Sequence, residues 1–161
     1  MALSRKKMKD RIKDNLVHFG NDDTTIPNNK TYLKDTEYQS LTSVKYKDGR
    51  VASNKLKQLL GGSIFTNPKD VDLISLLIKA IKVENDDIVL DFFSGSGTTA
   101  HAVMQQNSED GGSRKYIMVQ LQEKVKKDSE AEKAGYKTID EIGRERIKRA
   151  AELIKKKSIK I

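Results

Sequence analysis

Asp87-Ile88-Val89-Leu90-Asp91-Phe92-Phe93-Ser94-Gly95-Ser96-Gly97-Thr98-Thr99-Ala100 is the stretch that decides the fold. Ile88-Val89-Leu90 is short, apolar throughout and β-rich, the pattern of a strand covered on both faces. A glycine turn follows and opens a helix expected to run to about Gln106. Upstream, Val71, Ile74, Leu77, Ile78 and Ile81 recur at helical spacing and predict an amphipathic helix over 70–82. Downstream, Glu109-Asp110-Gly111-Gly112 is a turn, and Tyr116-Ile117-Met118-Val119 begins a second strand ending near Gln120. Helix, strand, glycine turn, helix and strand in that order define an α/β unit with a parallel sheet.

The glycine turn has a physical job. Gly95 and Gly97 adopt positive φ without penalty and let a ligand approach the backbone. The helix that follows offers unpaired N–H groups at its start. Dinucleotides, nucleoside triphosphates and S-adenosylmethionine all use this device. The dinucleotide pattern tolerates Ala100 in place of its third glycine. The triphosphate pattern requires a lysine that does not follow Gly97. Asp91, at the strand end before Phe-x-Gly-x-Gly, favours S-adenosylmethionine. Spacing alone leaves these open, together with a turn that packs and binds nothing.

The ends of the chain are less regular. Residues 4–17 read as a helix capped by Ser4, and 20–50 as an irregular arm with at most short strands. Ser53 is placed to cap a short helix through Leu60, stopped by Gly61-Gly62. Residues 124–137 read as a loop or weak helix. Thr138 and Glu141 have capping-box spacing before a final helix. Its expected buried stripe is Ile139, Ile142, Ile147, Ala150, Ala151 and Ile154. Arg144, Arg146, Lys148 and Arg149 fall on the opposite face, and Lys155-Lys156-Lys157 reads as a frayed tail. The division expected is a basic arm, 1–62, and a ligand-binding part, 63–161.

The 161 residues carry 31 Lys/Arg against 23 Asp/Glu, a net charge of +8. It is unevenly spread: +6 over 1–60, −4 over 61–123 and +6 over 124–161. Basic flanks around an acidic centre suggest a polyanion partner outside and a different ligand in the middle. Cysteine is absent and His18 and His101 are the only histidines, so disulfides and thiolate metal sites are excluded and no metal site is expected. No apolar run is long enough to span a membrane, and the N-terminus lacks the apolar core of a signal peptide. A cytoplasmic location follows as the expectation.

The glycine-loop stretch, continued through His101-Ala102-Val103-Met104, resembles the S-adenosylmethionine motif of amino-group DNA methyltransferases of the permuted β class. More narrowly, the chain is similar to methylation subunits of type III restriction-modification systems. Glu109 to Ile117 with Val119-Gln120-Leu121, Ala134 to Ile139, and Glu141 to Ile147 carry the likeness further. So do Val17-His18-Phe19-Gly20 and Phe65-Thr66-Asn67-Pro68-Lys69. The resemblance implies a partial Rossmann-like, S-adenosylmethionine-dependent methyltransferase fold preceded by a helical or irregular arm. It implies that Phe93, Gly95 and Gly97 shape the methionine end of the cofactor site. Asp91 would then be a hydrogen-bond acceptor, with Ser94, Ser96 and Thr98 as polar contacts. Phe65, Asn67, Pro68 and Lys69 correspond to the segment that closes the site. Related sequences read Pro-Lys-Pro there, whereas this chain has Asp70 in third place. Gln120 stands where an acid usually meets the ribose hydroxyls, and its carbonyl is an acceptor of one hydrogen bond.

The activity implied is adenine-N6 methylation of double-stranded DNA, alongside a restriction subunit of the same system in a bacterial cytoplasm. In that family an Asp/Asn-Pro-Pro-Tyr/Phe tetrapeptide holds the flipped base. Pro27 and Pro68 are the only prolines, so the tetrapeptide is absent and no catalytic residue is assigned. The expectation is therefore a C-terminal, cofactor-binding piece of a larger enzyme, whose N-terminal part is a partner. With two strands visible, an unpaired apolar edge implies self-association or an N-terminal arm folded back over it. A nucleic-acid-binding module without cofactor, or another nucleotide-binding α/β domain, are the alternatives.

Overall fold

In the computed structural model, the larger part of the chain holds two parallel strands side by side. The structure describes residues 4–32, 34, 41, 42, 44, 45 and 48–159. It divides into two compact units, 1–44 and 45–161.

In the first unit, α1 (Arg5–Lys13) starts at Ser4, whose Oγ accepts the Lys7 N–H at 3.4 Å. It is shorter than the expected 4–17: Asn15 takes a left-handed φ of 57°, and Val17 and His18 leave the helix to form β1 (Val17–His18). β1 pairs antiparallel with β2 (Asn28–Asn29). Part of the expected arm, including 35–40, lies outside the described residues.

The second unit begins with α2 (Gly49–Leu60), capped by Asp48 and not by Ser53. Ser53 sits one turn inside, its Oγ donating to the Gly49 carbonyl at 3.2 Å. Ala52, Leu56 and Leu60 form its buried stripe, and α2 packs on α6 (Ile139–Ser158) inside this unit, although the sequence reading placed it with the arm. α3 (Val71–Ala80) is capped by Asp70, whose carboxylate accepts the Leu73 N–H at 3.0 Å. Asp70, third in Pro68-Lys69-Asp70, is therefore a helix cap.

β3 (Ile88–Asp91) and β4 (Lys115–Met118) run parallel, with Val89 opposite Tyr116 and Asp91 opposite Met118. Between them lies α4 (Thr98–Asp110), which extends past the expected end at Gln106 because Gln106 and Arg114 both bond the Asp110 carboxylate. Arg114 also donates to the Val83 carbonyl at 2.7 Å, fastening the end of α4 to both strand approaches. Val89 and Tyr116 pack against Val71, Ile78, Ala102 and Val103 of α3 and α4. Ile88, Leu90 and Ile117 point the other way and are exposed, so the expectation of a strand covered on both faces is corrected: α3 and α4 cover one face.

A second cluster joins Leu56 and Leu60 of α2 to Ile142 of α6 and Ala131 of the short α5 (Glu130–Lys133). Glu141 accepts the Thr138 N–H at 3.4 Å, the reciprocal half of the expected capping box. Two features of α6 differ from expectation. Lys155, Lys156 and Lys157 remain helical and form its last turn. Arg146 is in the buried stripe, with Ile142, Gly143 and Ala150, whereas Ala151 is exposed.

Candidate functional site

The turn from β3 to α4 folds around its own polar groups. The Asp91 carboxylate accepts the Phe93 N–H at 3.1 Å through one oxygen and the Thr99 hydroxyl at 2.6 Å through the other. The Gly97 N–H closes on the Ser94 carbonyl at 2.7 Å, and the Ser94 N–H on the Val119 carbonyl at 3.1 Å. Gly95 and Gly97 have φ of 49° and 75°, as the sequence requires of them. Gly97 begins α4 with no side-chain cap, so the turn meets a helix start whose donors lack an internal partner.

This turn and the segment 65–69 face each other across a cleft of about 440 Å³. Phe65, Asn67 and Lys69 line it from one side, and Asp91, Phe93, Ser94 and Gly95 from the other. Ser96 and Thr98 reach its floor. Pro68, Gly97 and Gln120 are the three expected site residues that do not line it. Pro68 is buried behind Asn67, which takes a left-handed φ of 51° that asparagine tolerates. Gly97 faces α6 instead. Phe93 is 89% exposed, so its ring stands free at the rim. Thr66, Ile74 and Thr99, which the sequence reading left out, also border the cleft.

Gln120 holds the turn. Its Oε1 accepts the Gly95 N–H at 2.8 Å, and its Nε2 donates to Glu123 at 3.5 Å. The carbonyl offered to a ribose is thus engaged by the backbone of the glycine turn.

Two residues of α6 support the turn from beneath. Arg146 is only 3% exposed, and its Nη1 donates to Ser96 Oγ at 2.8 Å and Thr98 Oγ1 at 2.7 Å. Burial pushes its guanidinium down to about 10, so it remains charged at neutral pH. Thr98 Oγ1 also donates to the Lys69 carbonyl at 3.4 Å, linking both walls of the cleft. The second residue is Gly143. A Cβ there would lie 3.0 Å from the Gly95 carbonyl oxygen, and one at Gly97 would lie 3.1 Å from that of Gly143. Only glycine on both sides lets the helix and turn touch backbone to backbone. An isolated glycine inside the helical pattern was the signal available for this contact. The burial of Arg146 had none, because its charge argues for the outer face.

The fit to an adenosyl-sulfonium cofactor can be tested on these observations. Gly95 without a side chain in the cleft wall, an aromatic ring at the rim and a carboxylate at the strand end suit a cationic, partly aromatic ligand. No basic triphosphate lysine is present in the turn.

Residues 3–156, which include this βα turn, match the DNA methylase family. The chain belongs to it. It is 45% identical over 149 residues to the Mod subunit of the type III restriction-modification enzyme StyLTI of Salmonella typhimurium, covering 89% of this chain and 22% of that protein. It is 41% identical over 152 residues to the EcoP15I Mod subunit of Escherichia coli, covering 93% of this chain and 23% of that one. A type II methyltransferase of Klebsiella pneumoniae, M.KpnI, is 40% identical over 91 residues, which are 56% of this chain and 22% of that protein. The chain thus spans less than a quarter of the length of these relatives. No helix among the described residues is long and apolar enough to cross a membrane.

Proposed function

We propose that this chain is the cofactor-binding part of a site-specific adenine-N6 DNA methyltransferase of a type III restriction-modification system, and that S-adenosylmethionine occupies the cleft between 65–69 and 91–99. The observation that carries the reading is the meeting of these two distant segments around one cleft, each holding residues expected for the cofactor. Bound there, S-adenosylmethionine would supply an electrophilic methyl group. Asp91, Gly95 and Lys69 would bind it, with Phe93 folding over the rim. Ser96 and Thr98 act one layer below, because Arg146 holds both hydroxyls.

In this reading β3 and β4 form part of a larger Rossmann-like sheet, completed by the portion of the enzyme that bears the Pro-Pro tetrapeptide. That portion, double-stranded DNA, a restriction subunit and a second copy of the chain are its partners, in a bacterial cytoplasm. The basic arm is its DNA-facing region. The two prolines are far apart, so the chain by itself binds cofactor without methylating DNA.

Calorimetric titration tests it. S-adenosylmethionine should bind selectively over NAD and ATP, and Gly95→Val should abolish binding, because valine meets both a left-handed φ and the Phe65 ring 3.4 Å from its Cβ. Equal affinity in wild type and variant overturns the assignment.

A further inference from the structure

A second cavity, of about 650 Å³, opens between α2, the start of α3, α4 and α6. It carries six cations, Lys55, Lys69, Arg146, Arg149, Lys156 and Lys157, against two carboxylates, Asp72 and Glu152. Lys55 pairs with Asp72 at 3.0 Å and Arg149 with Glu145 at 2.6 Å, which leaves Lys69, Arg146, Lys156 and Lys157 without an ion pair among the described residues. Arg146 spends Nη1 on the glycine turn, but its Nε, fully buried, has no hydrogen-bond partner. The buried Nδ1 of His101, in the same cavity, has none either. A buried donor on a charged group left unpaired costs free energy that a ligand can recover.

We propose that this cavity is a phosphate-binding site, with Arg146, His101, Lys156 and Lys157 as its recognition groups. Phosphate supplies several acceptor oxygens and a negative charge, which answers the unpaired Arg146 Nε–H and the surplus of cations. The helical run Lys155-Lys156-Lys157 continues the positive charge beyond the mouth, which suits a phosphodiester in a nucleic-acid backbone as well as a free phosphate. Arg146 borders the cavity on one side and holds Ser96 and Thr98 on the other, so a bound phosphate fixes the guanidinium that supports the glycine turn.

The test is nuclear magnetic resonance on the labelled chain, titrated with inorganic phosphate, with sodium chloride at matched ionic strength, and with a short DNA duplex. Phosphate should move the His101 imidazole and Arg146 Nε–H signals saturably. Lys157→Glu, an exposed change on the last turn of α6, should weaken that binding by about tenfold or more while leaving the spectrum folded. The same two signals moving with the duplex, and reversing on excess phosphate, assign the source to a polymer backbone. Movement with phosphate alone assigns it to a free phosphate. The proposal is overturned if chloride moves the signals equally, if neither ligand moves them, or if Lys157→Glu binds as wild type. Cofactor titration is a separate readout, so the two readings fail independently.

Discussion

Gln120 and Gly95 are joined by a 2.8 Å hydrogen bond from the Gly95 N–H to the side-chain carbonyl, which pins the glycine turn to the end of the second strand. Gln120→Ala removes the acceptor and leaves a half-buried N–H unpaired, a loss of about 1–3 kcal/mol. Amide exchange at Gly95 should accelerate, and cofactor affinity should fall with it. Gln120→Glu keeps an acceptor and should restore most of the protection. Alanine and glutamate variants with the same Gly95 exchange rate as wild type would show that the bond does not hold the turn.

The contact between Gly143 and the turn should be equally sensitive. Gly143→Ala places a Cβ 3.0 Å from the Gly95 carbonyl oxygen, against backbone that cannot rotate away. We expect a loss of about 1–3 kcal/mol in urea unfolding, together with weakened cofactor binding. Gly49→Ala, at a helix position with nothing within 4 Å of the added carbon, is the control and should be neutral or slightly stabilising. If the two variants unfold alike, the helix and turn are not in backbone contact.

These two contacts mark where the sequence was readable and where it was not. Ile88-Val89-Leu90 and the Val71–Ile81 stripe announce a strand and a helix because periodicity is local. The facing of Phe65–Lys69 and Asp91–Thr99 followed from resemblance alone, since nothing in either segment encodes the other. Gln120 stands out by its position at the strand end, yet its partner is backbone, and an N–H leaves no mark on a sequence. The sequence pattern puts Arg146 on the solvent face because an isolated arginine is rarely buried. Ser96 and Thr98, fifty and forty-eight residues earlier, make that burial tolerable. Ile88 and Leu90 erred in the other direction: hydrophobicity shows what suits burial, not whether a covering element is at hand.

His101 sets a pH dependence. Burial pushes its imidazole down to about 4, reinforced by Arg146, Lys157 and Lys55 and opposed by Asp72. In the unfolded chain it titrates near 6.5. Between those values the unfolded state binds the extra proton, so stability rises with pH there and is fully present above about 7. The contribution lost on acidification to pH 4 is on the order of 1–3 kcal/mol, reduced by the residual exposure of the ring. His101→Gln should flatten the difference between urea unfolding at about pH 5 and pH 7.5. An undiminished difference in the variant would assign the acid sensitivity to other groups.

The uncovered side of the sheet makes the last prediction. Side chains alternate along a strand, so Val89 and Tyr116 facing α3 and α4 put Ile88, Leu90 and Ile117 on the opposite face. They are 58%, 47% and 49% exposed, and Val119 follows at 44%. Each is a β-rich apolar residue, and together they form a contiguous patch of the kind that recruits another chain. Light scattering across a concentration series should therefore show association that Ile117→Lys suppresses. Because Ile117 touches neither core cluster, the same change should alter unfolding by no more than about 0.5 kcal/mol. Association undiminished by Ile117→Lys would move the contact to another surface, and a wild-type chain that stays monomeric at every concentration would remove it altogether. Loss of stability in place of association would show that Ile117 is packed within the monomer, contrary to the exposed face described.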